Sequence, residues 1–97
     1  MNLSIHPEAE AEYDAIYAYY ERQLPGLGGD FAAETNDALT SICDFPLAWP
    51  EYELGTRRRF INSFHLGIIY AIGGNTIRIY AFMDQRRKPD YWTNRLK

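Results

Sequence analysis

The stretch that decides the fold is 66-LGIIYAIGGNTIRIYAFM-83, two apolar runs joined by a glycine-rich turn. Residues 66–72 are almost continuously apolar, which is typical of a strand buried on both faces. Gly73-Gly74-Asn75 supplies positive φ angles at low cost and predicts a tight hairpin turn. Residues 76–83 then alternate, and one face of this strand carries Ile77, Ile79, Ala81 and Met83. An antiparallel hairpin is therefore predicted at the centre of a small sheet.

Two amphipathic helices are predicted upstream of this hairpin. Apolar residues recur at spacings of three and four from Ala9 to Leu24, and again from Phe31 to Cys43. Pro25-Gly26 is expected to end the first helix, and Asp30 is a candidate N-cap for the second. The short connection predicts an antiparallel helical hairpin.

A short strand is expected at each side of the helices. Leu3-Ser4-Ile5 is apolar at alternate positions and stops at Pro7, while residues 47–56 have no period and predict a loop. The alternation of residues 57–62 predicts a further strand. The order is β-α-α-β-β-β, an α+β fold in which the helical hairpin covers one face of a small, mostly antiparallel sheet. We expect residues 1–97 to form one domain, with the opposite sheet face open to a partner.

The composition is that of an ordinary globular protein, with 46% apolar and 24% charged residues. No apolar run approaches the ~20 residues of a membrane helix. A single cysteine, Cys43, predicts no internal disulfide and a cytoplasmic location. No metal or cofactor motif is present, so neither is expected. Residues 1–54 carry a formal charge of −10 and residues 55–97 carry +7, which hints at an anionic or acidic partner for the second half.

Several sequence segments together resemble the motifs of a known family. They are IHPEAEAE (5–12), Tyr19-Tyr20, Ala38-Leu39 with Ile42 and Pro46, Gly55 with Arg57-Arg58, FHLGIIY (64–70) and RRKPDYW (86–92). In this order, and at this chain length, they resemble the RelE/ParE superfamily of toxins from type II toxin–antitoxin systems. The segment at 86–92 is closer to the ParE branch.

The resemblance implies a toxin that a cognate acidic antitoxin neutralises within a hetero-oligomer. ParE relatives are not enzymes but bind DNA gyrase, whereas RelE relatives cut mRNA on the ribosome. Gly67 occupies a position where the RNA-cutting branch places an arginine, and Asp84 one where many relatives have a histidine. The resemblance thus favours gyrase inhibition. An mRNA endonuclease and a non-toxic binding protein of the same shape are the alternatives.

The target-binding surface is expected near the carboxyl end, because arginine forks and aromatic rings dominate macromolecular interfaces. Its candidates are Arg57, Arg58, Arg86, Arg87, Tyr91 and Trp92. If the chain is a ribonuclease, Arg58, Arg86 and Tyr91 are the catalytic candidates. The alternation of residues 57–59 must turn these arginines in two directions, and Trp92 could instead be core filler that closes the sheet.

The antitoxin is expected to contact a second set of residues, as a helix in a groove or as an added strand. Its candidates are Tyr13, Tyr17, Tyr20, Trp49 and Phe82. The tyrosines lie at helical spacing and are alternatively part of the core. Because the first half of the chain is acidic, an acidic antitoxin segment is expected to run mainly over the second half.

Overall fold

The computed structural model describes all 97 residues and has the predicted order of elements. They are β1 (Asn2–Ile5), α1 (Pro7–Gln23), α2 (Leu27–Asp44), β2 (Arg57–Ile61), β3 (Leu66–Gly73) and β4 (Thr76–Asp84). The sheet order is β1-β4-β3-β2, with β1 parallel to β4 and the other two pairs antiparallel. The predicted α+β class and the helical hairpin on a mostly antiparallel sheet are confirmed.

The turn between the helices is tighter than the sequence indicated. Gly26 adopts φ 93° and α2 starts immediately after it, at Leu27. The expectation that Asp30 caps this helix is wrong, because its N–H donates to the Gly26 carbonyl from inside the first turn. Gly28 lies against α1, where an added Cβ would be 2.9 Å from the Tyr17 carbonyl oxygen. The missing side chain therefore lets the two helices approach closely.

The main core lies between the helices and one face of the sheet. Phe31 is fully buried, and its ring contacts those of Tyr13, Tyr20 and Phe64 at centroid distances of 5.3–5.9 Å. Residues 66–70 of β3 are all buried, as expected for a strand covered on both faces.

A bulge in β4 changes which side chains face the helices. Ile69 pairs with Ala81 but Tyr70 pairs with Ile79, so Tyr80 is an extra residue on its strand. Ile79 consequently faces the helices while Ala81 faces the other side. The expectation that Ile77, Ile79, Ala81 and Met83 share one face is wrong, because the extra residue inverts the alternation.

The second face of the sheet is partly covered by the end of the chain. Trp92 is fully buried there against Ile69, Ala81 and Met83. The expectation of an open opposite face is therefore wrong for the part under the tail. None of the helices combines the length and the apolar character that crossing a membrane requires.

Candidate macromolecular interface

The three arginines of β2 point two ways, as the alternation predicts. Arg57 lies on the helical side, where its Nη1 donates to the Trp49 carbonyl at 2.7 Å. Arg59 lies on the same side, and its Nε donates to the Ser41 hydroxyl of α2 at 3.1 Å. Arg58 occupies the second face. Arg58 is thus the only one of the three arginines whose side chain does not lie on the helical side of the sheet.

Arg58 is held between two aromatic rings. Its guanidinium carbon lies 4.1 Å from the centroid of Tyr52 and 4.3 Å from that of Phe60. The side chain crosses Gly67 of the neighbouring strand, where an added Cβ would be 3.2 Å from the Arg58 Cδ. Gly67 therefore provides the space in which Arg58 lies.

Arg86 and Arg87 follow β4 and take different environments. Arg86 is 81% exposed and pairs with Asp84 at 2.7 Å, and its hydrogen bond lowers the pKa of that carboxyl. It borders a cleft lined by Tyr19, Tyr20, Phe64, His65 and Gln85. The guanidinium of Arg87 stacks on Tyr91 at 3.8 Å from the ring centroid and is half exposed. These two arginines are thus accessible cations of the segment after β4, as is the neighbouring Lys88.

A partly buried network around Glu12 joins the tail to the rest of the fold. The Tyr91 hydroxyl donates to Glu12 Oε2, and Arg95 Nη1 lies 2.8 Å from Glu12 Oε1. Burial, followed by the hydrogen bond to Glu12, raises the pKa of Tyr91 far above its usual value. Sequence reasoning missed Glu12 and Arg95. The spacing of three between Ala9 and Glu12, which places an acid on the buried helix face, was the available indication.

This network also completes the edge of β4. Strand β1 ends at Ile5 opposite Ile79, so the outer edge of β4 has no strand neighbour beyond that point. The N–H of Phe82 donates to Glu12 at 3.1 Å, and the Tyr80 carbonyl accepts from Arg95 at 3.0 Å. A carboxylate and a guanidinium thus replace the missing strand.

The predicted target-binding residues do not form one cluster. Arg58 projects from β2 onto the second face of the sheet. Arg86 lies at the cleft beside Tyr19 and Tyr20, and Arg87 stacks on Tyr91. The prediction that Trp92 is an anchor of the target-binding surface is wrong, because its ring is fully buried and its Nε1 donates to the Pro89 carbonyl at 2.7 Å.

The three ribonuclease candidates are likewise separate. Arg58, Arg86 and Tyr91 make no hydrogen bond, ion pair or ring contact with one another. No group of three or more His, Cys, Asp or Glu side chains is placed to hold a metal ion.

The predicted antitoxin contacts lie in several places. The rings of Tyr13 and Phe82 meet at 5.5 Å and line one pocket, although Phe82 is only 1% exposed, so antitoxin contact at these two residues stays a prediction. Tyr17 is exposed on the outer side of α1, and Tyr20 donates to the Phe64 carbonyl in the cleft beside Arg86. Trp49 lies beneath the guanidinium of Arg59, 4.9 Å from it. These residues do not line one groove.

Comparison with known proteins adds two findings. Residues 3–89 match the family model described as the ParE toxin of the type II toxin–antitoxin system, parDE. Among solved structures, a chain of the chromosomal ParDE system from P. aeruginosa superposes with a TM-score of 0.64 at 18% identity, covering 87% of this chain and 95% of that one. At that identity the superposition shows the fold alone. A search of curated proteins found no match.

Proposed function

The chain belongs to the ParE toxin family of type II toxin–antitoxin systems, and we propose that it poisons by binding DNA gyrase without cutting RNA itself. The observation that carries this proposal is the hydrogen bond that the Tyr91 hydroxyl donates to Glu12. An RNA-cutting toxin needs cations around the reacting phosphate and a group that moves protons at neutral pH. The Tyr91 hydroxyl donates to the largely buried Glu12, and burial with this bond raises the pKa of the phenol. It is therefore poorly suited to donate a proton to RNA.

The arrangement around Gly67 supports the same choice. The RNA-cutting branch places its arginine at the position of Gly67, and here the side chain of Arg58 from β2 occupies the space that a side chain at position 67 would need. Arg86, the remaining ribonuclease candidate, lies at the cleft beside Tyr19 and Tyr20 and contacts neither Arg58 nor Tyr91. These contacts favour a protein that works by binding.

For gyrase, Arg86 and Arg87 offer the accessible charge. Their side chains are 81% and 54% exposed, and they follow one another on the segment that leaves β4. Arginines at such positions are frequent anchors in protein interfaces. We propose that they contact gyrase in the cytoplasm, and that a cognate acidic antitoxin covers them in a hetero-oligomer.

The test compares DNA topology with RNA integrity. Purified toxin is added to gyrase with relaxed plasmid, and separately to a ribosome-dependent translation reaction. We expect supercoiling to stop while transcripts stay intact. Alanine at both Arg86 and Arg87 is expected to raise the inhibitory concentration about thirtyfold, since interface anchors contribute more than about 1 kcal/mol each and the two losses together exceed about 2 kcal/mol. Arg22→Ala is the matched control, because Arg22 is an exposed arginine on the last turn of α1.

Two results would contradict the proposal. Cleaved transcripts on ribosomes with normal supercoiling would identify an mRNA endonuclease. Normal growth on induction without antitoxin, with neither process affected, would identify a non-toxic binding protein.

A further inference from the structure

Arg78 is a half-buried arginine with no carboxylate within ion-pair distance. It lies in β4 on the second face of the sheet, because its neighbours Ile77 and Ile79 face the helices. Its hydrogen bond runs from Nη1 to the hydroxyl oxygen of Ser4, its pairing partner on β1, at 2.5 Å. A guanidinium has five N–H donors and no acceptor capacity, so the remaining donors of Arg78 are free.

Other hydrogen-bond donors lie close to this guanidinium. Ser4 accepts from Arg78, which leaves the serine O–H free to donate. The Tyr80 ring lies 5.9 Å from the guanidinium carbon, and its hydroxyl has no hydrogen-bond partner within the chain. The His6 ring lies 6.3 Å from that of Tyr80, and its Nδ1 accepts from the Glu8 N–H, so the neutral imidazole carries its proton on Nε2. The cluster therefore offers cationic, hydroxyl and imidazole donors without an acceptor among them.

The acids at the start of α1 do not neutralise this cluster. Glu8 and Glu12 pair with Arg95, at 3.6 Å and 2.8 Å. Their charge is thus met by Arg95 and not by Arg78. An anion bound at the cluster meets correspondingly less repulsion from these carboxylates.

The surface of the sheet beside Arg78 is open. Its partner on β3 is Ala71, and the next residue of β3 on the same face is Gly73, where an added Cβ would meet no atom within 4 Å. Trp92 covers the preceding residue on this face, Ile69, so the tail lies over a different part of the sheet. The small residues therefore leave room for a ligand above this end of β3 and β4.

The bulge in β4 lies at the same place. Tyr80 is the extra residue that the bulge inserts between Ile79 and Ala81. Bulges re-aim side chains and are frequent beside functional sites. Here the bulge belongs to the stretch that brings the Tyr80 ring next to Arg78 and to His6.

We propose that a site for a phosphate monoester is formed on the second face by the side chains of Ser4, His6, Arg78 and Tyr80. Arginine binds phosphate oxygens in pairs through its planar fork. The hydroxyls and the imidazole N–H can donate to the remaining oxygen. A monoester suits these donors because it presents three acceptor oxygens and close to two negative charges. A backbone diester and a carboxylate each offer fewer oxygens and less charge. The site stands whether or not gyrase is the target.

The test is an NMR titration of the full chain with methyl phosphate, at a pH where this probe is a dianion and at constant ionic strength. Dimethyl phosphate and acetate are the matched probes, since each carries a single charge. We expect methyl phosphate to shift the Arg78 Nε–H and the Ser4 amide and to saturate. The matched probes should bind at least about tenfold more weakly, as expected for loss of a charge-assisted hydrogen bond.

Substitutions separate the arginine fork from the hydroxyl. Arg78→Gln should weaken methyl phosphate binding at least about tenfold, and Tyr80→Phe about fivefold, because it removes one neutral hydrogen bond. Tyr80→Phe keeps the ring, so it still decides the test if Arg78→Gln does not fold. Arg22→Gln and Tyr17→Phe, which change exposed residues of α1, should leave the affinity unchanged.

Three results overturn the proposal. Methyl phosphate may be added to saturating concentration without shifting either resonance. Acetate or dimethyl phosphate binds as tightly as methyl phosphate. Arg78→Gln and Tyr80→Phe, each with a dispersed amide spectrum, bind methyl phosphate like the wild type. None of these results depends on whether the chain blocks supercoiling, which is measured separately.

Discussion

Replacing Trp92 with alanine tests whether the carboxyl-terminal segment is part of the folded core. The ring is fully buried in a small cluster with Ile69, Ala81 and Met83, and its Nε1 bond to Pro89 is lost with it. Truncation of a buried tryptophan typically costs about 3–5 kcal/mol. Because the tail can detach and relax after the truncation, we expect the free energy of unfolding to fall by about 3 kcal/mol, the low end of that range. That is a large fraction of the ~5–15 kcal/mol by which domains of this size are stable.

The assay is urea unfolding followed by circular dichroism, with thermal unfolding as a second measurement. A loss of about 3 kcal/mol corresponds to a fall in Tm of at least about 12 °C for a chain of this length. Trp92→Phe should be intermediate, because it keeps an aromatic ring but loses the indole hydrogen bond. Phe45→Ala is the control, since Phe45 is 66% exposed and should change stability by at most about 0.5 kcal/mol.

The reasoning is refuted if Trp92→Ala unfolds within about 0.5 kcal/mol of the wild type, the range of ordinary surface substitutions. Loss of target binding with unchanged stability would show instead that the ring is an exposed anchor.

Three other perturbations address the polar contacts. Glu12→Gln removes the nearer of the two carboxylates that pair with the largely buried Arg95 and leaves it only Glu8 at 3.6 Å, so it should cost about 3 kcal/mol in urea unfolding, whereas the exposed Glu10→Gln should cost little. The pKa of Asp84 is lowered in the fold, so its stabilising contribution is present above its unfolded pKa of about 3.9 and is lost as pH falls through the folded value. Asp84→Asn should therefore flatten that part of the acid limb in thermal unfolding measured across pH. Tyr70→Phe removes a buried hydroxyl bond to the loop after α2 and should lower the free energy of unfolding by about 1 kcal/mol, measured in urea.

The elements of this fold were predictable because their causes are local. Gly73-Gly74-Asn75 between two apolar runs predicted the hairpin, and the structure places Gly74 at φ 58° in that turn. Alternation alone predicted that the β2 arginines diverge, since neighbouring side chains of a strand point to opposite faces. The bulge at Tyr80 had no such local cause and inverted half of the predicted face of β4.

The candidate site was less predictable, because its residues are brought together from distant parts of the chain. Arg95 Nη1 meets Glu12 across 83 residues of sequence, and no periodic pattern records such a pairing. The reach of Arg58 over Gly67 is equally invisible, although the glycine itself was noticed as a departure from the RNA-cutting branch.

The amino-acid sequence by itself determined the order of helices and strands, the hairpin turn between β3 and β4, and the family, because these depend on residue spacing along the chain. Only the tertiary structure decided which arginines are free and which ring is buried. The tail folds back over β4, where Trp92 fills a gap and Glu12 accepts from Tyr91 and Arg95. Which residues the tail buries or pairs depends on which surfaces lack a neighbour once the sheet has formed. The spacing of residues along the chain does not contain this information.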